Sequence, residues 1–138
     1  MMVKQLDNYN QYDIIGDIHG HYDELVSLLK KLGYSLQNGI WKNGARIPVF
    51  VGDYIDRGPK ILESLKLVRD LTESGNGIAL MGNHEYNFIC MHNYASNGEP
   101  FRKRNEDNLE NIKDTLDALS NGNDFEIYLK WMEQLPVI

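Results

Sequence analysis

The stretch Gly52-Asp53-Tyr54-Ile55-Asp56-Arg57-Gly58 decides how this chain folds. It follows the apolar run Ile47-Pro48-Val49-Phe50-Val51, which predicts a buried strand, and it precedes Pro59, a residue suited to the first turn of a helix. Two carboxylates and a guanidinium therefore crowd onto one strand-to-helix turn. A carboxylate at a strand's end suits a hard cation, and an arginine fork suits a phosphate, so this turn asks for both together.

The same pattern occurs on either side. Tyr12 to Ile15 is a short strand running into Gly16-Asp17-Ile18-His19-Gly20, and Leu25, Leu28, Leu29 and Leu32 then predict an amphipathic helix capped by Gly33. Ser35 to Lys42 reads as a hairpin with Asn38-Gly39 in its turn. After the central turn, Ile61, Leu62, Leu65, Val68 and Leu71 mark a second helix ending before Gly75 and Gly77, and a third strand, Ile78 to Met81, runs into Gly82-Asn83-His84-Glu85. Alternating strands and helices imply a parallel sheet, whose ligand sites lie beyond the carboxyl ends of its strands. The three turns are therefore expected to meet at one crevice.

Further along, Asn93 to Asn108 read as a polar loop able to overhang that crevice. Leu109, Ile112, Leu116 and Leu119 predict a third long helix, Asn121-Gly122 a break, and Phe125, Tyr128, Leu129, Met132 and Leu135 a fourth, with Asn123 and Glu126 as a capping-box-like start. Pro136-Val137-Ile138 reads as the entrance to another strand.

Composition narrows the function. The chain has 138 residues, a length at which a single domain buries roughly 68–70% of its unfolded surface. A net charge of −6 argues against nonspecific binding to a nucleic-acid backbone. One cysteine, Cys90, in an apolar run reads as a buried, reduced thiol. The polar stretch from Met1 to Tyr12 carries no signal-peptide pattern, and no apolar run reaches the roughly 20 residues of a membrane span, so a soluble cytoplasmic protein with no membrane partner is expected.

Taken in order, G-D-I-H-G at 16–20, G-D-Y-I-D-R-G at 52–58 and G-N-H-E at 82–85 resemble the metallophosphoesterases of the phosphoprotein phosphatase type, the calcineurin-like group. The similarity is greatest to the bacterial branch that holds diadenosine tetraphosphate hydrolases, small serine/threonine phosphatases and the phosphatase domain of polynucleotide kinase-phosphatase. The resemblance implies an α/β fold, a β-sandwich flanked by helices, of which residues 1–138 cover the N-terminal parallel-sheet half. It implies two divalent metal ions, manganese first and iron, zinc, cobalt or magnesium as alternatives, that activate a water for in-line attack on phosphorus. Asp17 and His19 would hold the first ion, Asp53 would bridge both, and Asn83 would bind the second and touch the substrate phosphate.

His84 would be the general acid, Asp56 the carboxylate that fixes its tautomer, and Arg57 the phosphate fork. Gly20, Gly52, Gly58 and Gly82 would permit close backbone approach. The substrate would be a phosphoprotein, a dinucleoside polyphosphate or a nucleic-acid end. The family's second metal also takes two later histidines, the first in an H-A-G-like segment beyond a helix that ends in L-P. Leu135-Pro136-Val137-Ile138 reaches only the threshold of that segment, and His92 lies too early, so the domain is expected to be truncated before those ligands and to expose an apolar sheet face that invites self-association.

Plainer readings stand beside these. Asp17 and Asp53 could be helix caps, Asp56-Arg57 a surface ion pair, Asn83 a turn residue, and His19 and His84 satisfied polar groups. His21 and His92 read as ordinary histidines, and Arg102-Lys103-Arg104 as a solvated charge run. Tyr54 and Tyr86 could line the site or simply pack, and Glu85 has no evident chemical role. The competing function is an inactive fragment or a noncatalytic metal- or phosphate-binding module.

Overall fold

A computed structural model describes residues 11–137. Residues 1–10, including most of the polar N-terminal stretch, and Ile138 lie outside the described residues. Strand β1 (Gln11–Ile15) leads through helix α1 (Tyr22–Lys31) and the hairpin β2 (Ser35–Gln37) and β3 (Ile40–Lys42) to β4 (Arg46–Phe50). Helix α2 (Ile61–Glu73), strand β5 (Ile78–Ala79) and helices α3 (Asn83–Met91), α4 (Glu106–Ala118) and α5 (Asp124–Glu133) follow.

The three longer-range strands form one parallel sheet in the order β1-β4-β5, with Ile15 opposite Phe50 and Phe50 opposite Ala79. All three strand ends therefore point the same way, and the turns that follow them share one edge, as the βα alternation requires. The predicted hairpin forms with both Asn38 (φ 51°) and Gly39 (φ 82°) in the left-handed region, the geometry a tight two-residue connection demands.

Alternation along β1 buries Asp13 and Ile15 and turns Ile14 to the other face. Ile15, Phe50 and Ala79 join Leu25, Leu29, Leu65, Val68 and Phe88 in one core between sheet and helices. The opposite face is closed over β4, where Ile47 is fully buried, but open at β1, where Ile14 is 67% exposed. The expectation of exposed apolar surface thus holds at the sheet's edge and not across its centre.

Local chemistry shifts several predicted boundaries. Gly33 (φ 91°) lies one position past Leu32, the residue that caps α1: its N–H donates to Lys30 O and that of Tyr34 to Leu29 O, the paired bonds that finish a helix through a left-handed residue. Helix α4 starts inside the predicted loop because Asn105 caps it, its side chain accepting the Asn108 N–H at 2.8 Å. Asn123, in contrast, makes no side-chain cap to α5, so the expected capping box is absent there. β5 is shorter than predicted, yet Leu80 N–H still donates to Phe50 O and Met81 N–H to Pro136 O at 2.8 Å, which lays the C-terminal residues beside β5 where a further strand was expected to begin. Cys90 is half-buried instead of buried.

A partly buried ion pair crosses the sheet. The register sets Arg46 on β4 so that its Nε donates to both oxygens of Asp13, at 3.1 and 2.9 Å, while Tyr34 Oη donates to Oδ2 at 2.9 Å. The guanidinium hydrogen bonds hold the Asp13 carboxyl below the usual aspartate value of 3.8. A carboxyl that binds its proton less readily folded than unfolded stabilises the fold above that ordinary value and loses the contribution as pH falls through the folded one. Asp13→Asn is therefore expected to lower the thermal midpoint at neutral pH, and the gap from the parent to narrow as melts are taken below the ordinary aspartate range.

Packing of the turns gives a second expectation. A Cβ at Gly58 would overlap the backbone carbonyl of His19 and the backbone of Gly20, so only glycine lets the first two turns touch. Gly58→Ala should cost about 1–3 kcal/mol in urea unfolding, the range for forced overpacking.

Candidate metal and phosphate site

The first two turns are sewn together by backbone hydrogen bonds. Ile18 and His19 N–H both donate to Asp53 O, at 3.0 and 2.8 Å, Gly20 N–H donates to Tyr54 O, and Lys60 N–H returns to Gly20 O. The second turn is bound to the third by Glu85. Its Oε1 accepts from Asp53 N–H at 2.6 Å and Gly82 N–H at 3.0 Å, and its Oε2 from Tyr54 N–H at 2.9 Å and Ile55 N–H at 3.4 Å. Glu85 has no exposure, and burial pushes its pKa up to about 7 against the opposing pull of the Asp53, Tyr54 and Gly82 N–H groups.

At the start of α3 Glu85 supplies only half of a capping box, because Gly82 has no side chain to return the bond. The other cap comes from across the crevice, where Asp53 Oδ1 accepts the His84 N–H at 3.0 Å. Asp53 is therefore a helix cap and something more, since its carboxylate also faces His19 and His84. One donor atom from each of His19, Asp53 and His84 lies within 4.8 Å of the others. At this cluster His19 and Asp53 are more deeply buried than the half-buried His84.

The tautomers are fixed by the neighbours. His19 Nδ1 lies 2.7 Å from Ile55 O, which can only accept, so that nitrogen carries the proton and Nε2 keeps its lone pair. His84 Nδ1 lies 2.7 Å from Asp56 Oδ2, so that nitrogen likewise carries a proton and the other faces away from Asp56. The two rings meet edge to face, 4.6 Å between centroids.

Asn83 lies against Asp53. With its nitrogen turned inward, the amide donates to the two carboxylate oxygens at 2.9 and 3.0 Å; with its oxygen turned inward, two acceptors face one another and a cation between them is required. Asp17 stands at the margin, largely exposed, with Oδ2 3.9 Å from His19 Nε2. The His19 imidazole nitrogen, carboxylate oxygens and an amide oxygen are a donor set suited to a divalent first-row metal.

Asp56 is turned inward to His84 and not outward to Arg57, which excludes the surface ion-pair reading. Arg57 is exposed at the rim of a cavity of about 430 Å³ lined also by Gly58, Pro59, Ile61, Asp114, Asp117 and Ala118. His19 (φ 43°), Asp53 (φ 57°), Asp56 (φ 70°) and Arg57 (φ 77°) all hold the left-handed backbone that L residues rarely adopt. Such strain costs about 1–3 kcal/mol per residue and gathers where a site needs it.

Other sequence candidates lie elsewhere. His21 sits 3.8 Å from Glu24 on the surface of α1, and His92 packs on Phe88 and Phe125 with Nδ1 2.7 Å from Phe88 O. Arg102 and Arg104 tie down their own loop through Asn108 and Tyr94. Tyr54 packs in the core with Oη donating to Leu80 O at 2.7 Å, and Tyr86 faces solvent. Two residues with site contacts escaped the sequence reading, Glu85 as the tie between turns and Thr115, whose hydroxyl donates to Asp56 Oδ1 at 2.6 Å. The signal for Thr115 was a hydroxyl on the apolar stripe of α4, three residues after Ile112 and four before Leu119.

The chain belongs to the calcineurin-like phosphoesterase family, whose pattern matches residues 12–136. Among curated relatives, it is 47% identical over 74 residues to the asymmetrical bis(5'-nucleosyl)-tetraphosphatase PrpE of Bacillus subtilis, covering 53% of this chain and 30% of that protein. With the enzyme of the same name from Oceanobacillus iheyensis it shares 34% identity over 128 residues, 86% of this chain and 51% of the other. A serine/threonine phosphatase from Saccharomyces cerevisiae with similarity to human phosphatase PP5 has the same fold, with a TM-score of 0.60 at 20% identity over 91% of this chain and 33% of its own. A putative diadenosine tetraphosphatase does so as well, with a TM-score of 0.52 at 24% identity over 91% of this chain and 42% of its own. The chain thus spans between about a third and a half of the length of these curated relatives.

Removing the tie between turns should be costly. Glu85→Gln puts an amide NH2 among N–H donors and leaves buried groups unpaired, so urea unfolding should show a loss of about 1–3 kcal/mol. Divalent-metal affinity measured by calorimetry should fall with it.

Proposed function

We propose that the protein is a metal-dependent phosphoester hydrolase acting on a phosphomonoester or phosphoanhydride, with a dinucleoside polyphosphate as the favoured substrate class. The reading is carried by the convergence of His19, Asp53 and His84 from three separate turns onto one donor cluster within 4.8 Å. The names of the relatives support the substrate class. No described helix is long and apolar enough to cross a membrane.

Two divalent ions, manganese being our first choice among the several first-row metals that mixed oxygen and nitrogen ligation accepts, would polarise a water for attack in line with the leaving oxygen and screen the phosphoryl oxygens. Asp17, His19 and Asp53 would hold one, and Asp53 with Asn83 would begin the other. His19 presents its Nε2 lone pair because Ile55 O holds the Nδ1 proton. His84 serves as the general acid: Asp56 accepts from Nδ1–H and fixes the ring's orientation, which leaves the far nitrogen facing the departing oxygen to donate a proton. Arg57, exposed and turned away from Asp56, supplies the fork that binds the phosphoryl group as charge moves onto the leaving oxygen.

Assay of the full-length protein with manganese should show hydrolysis of diadenosine tetraphosphate and of a generic aryl phosphate. Asp53→Asn should abolish both, and His84→Gln should lower kcat on an alkyl phosphate, whose leaving oxygen needs a proton, by about 100- to 10,000-fold, the range for loss of a general acid. Absence of turnover with any divalent metal, or full activity in Asp53→Asn, would refute the reading.

A further inference from the structure

Thr115 has no exposure and occupies a position on α4 where the helical stripe calls for an apolar side chain. Its hydroxyl donates to Asp56 Oδ1 at 2.6 Å and accepts the Asp56 backbone N–H at 2.9 Å. One side chain thus clamps both the carboxylate and the backbone of a residue 59 positions earlier that holds φ 70°. The second oxygen, Oδ2, remains for His84 Nδ1 at 2.7 Å. A hydroxyl, a carboxylate and an imidazole therefore run in series from the interior of α4 to the rim of the site.

Asp56 is 2% exposed, so water cannot replace a missing partner. Without Thr115 a buried oxygen and a buried N–H would both lose their bonds, and among the described contacts only the His84 ring itself would be left to restrain the rotation of the carboxylate. From this geometry we infer that Thr115 is a positioning residue for His84, acting through Asp56: it sets the carboxylate plane that holds the imidazole in the orientation and tautomer for proton donation. The inference rests on the reading of His84 as general acid.

A residue that only fills space would affect stability alike for every substrate. A residue that positions the acid matters most where the leaving oxygen needs a proton. Thr115→Val keeps the shape and removes the hydroxyl, and Thr115→Ser keeps the hydroxyl. In the full-length protein with manganese, Thr115→Val should lower kcat on an alkyl phosphate by about 10- to 100-fold with KM within about twofold, and on nitrophenyl phosphate by less than about threefold. Thr115→Ser should restore the alkyl phosphate rate to within about threefold of the parent. Equal losses on the two substrates, or no rescue by serine, overturn the inference.

A readout that needs no turnover accompanies the kinetics. In protein with isotope-labelled histidine, the His84 Nδ1–H proton should give a solvent-protected resonance in the parent and in Thr115→Ser, and should be lost or broadened in Thr115→Val. An unchanged resonance in Thr115→Val overturns the inference even where hydrolysis stands; a parent that hydrolyses nothing refutes the hydrolase reading, and the resonance alone then decides the coupling from Thr115 to His84. Should Thr115→Val not fold, Thr115→Cys, whose thiol is a weak donor, is expected to fall between parent and no signal, and a parent-like resonance there overturns the inference.

Discussion

Two of the three turns are held in register by one buried carboxylate. Glu85 accepts four backbone N–H groups, three from the second turn and one from its own, and has no contact with water. Those N–H groups have no partner in a helix or strand because the chain there is in neither, and a buried N–H left unpaired would cost about 1–3 kcal/mol. Meeting them with a side chain from α3 does two things together. It satisfies the backbone of an irregular loop, and it fixes the distance between β4's end and α3's start, which is the distance across the site.

The remaining geometry depends on that distance. Asp53 can cap α3 through the His84 N–H only because Glu85 draws the two turns together, and its carboxylate then faces both imidazoles. Asp53, Asp56 and Arg57 hold left-handed backbone without being glycine, so the turn is strained at three positions that the chemistry needs. The offsetting bonds come from three directions: Glu85 from α3, the Ile18 and His19 N–H groups from the first turn, and Thr115 from α4. Gly82 contributes by being small, since a Cβ there would overlap the Asp53 backbone and carboxylate.

The parts legible in the sequence are those with local causes. Period-two and helical spacing of apolar residues fixed the order of strands and helices, and Asn38-Gly39 fixed the hairpin. The pairing of His84 with Asp56 was legible from the motifs, because it belongs to two short stretches that recur together. What depends on tertiary register was not. The Asp13–Arg46 pair needs the β1 to β4 alignment, Glu85 needs the approach of two turns 30 residues apart, and Thr115 reaches a partner 59 residues away. Boundaries failed where a single cap decided them, with Asn105 starting a helix early and Asn123 capping nothing. Cys90 was misjudged because an apolar run on a helix does not say which of its residues face outward.

Everything functional here requires that oxygens and imidazoles from three turns surround one position. Anomalous scattering from crystals grown with manganese tests this most directly. The account predicts a peak bonded to His19 and Asp53, with Asn83 or Asp17 completing its surroundings. A metal bound elsewhere, for instance between His21 and Glu24, with none at Asp53, would contradict it.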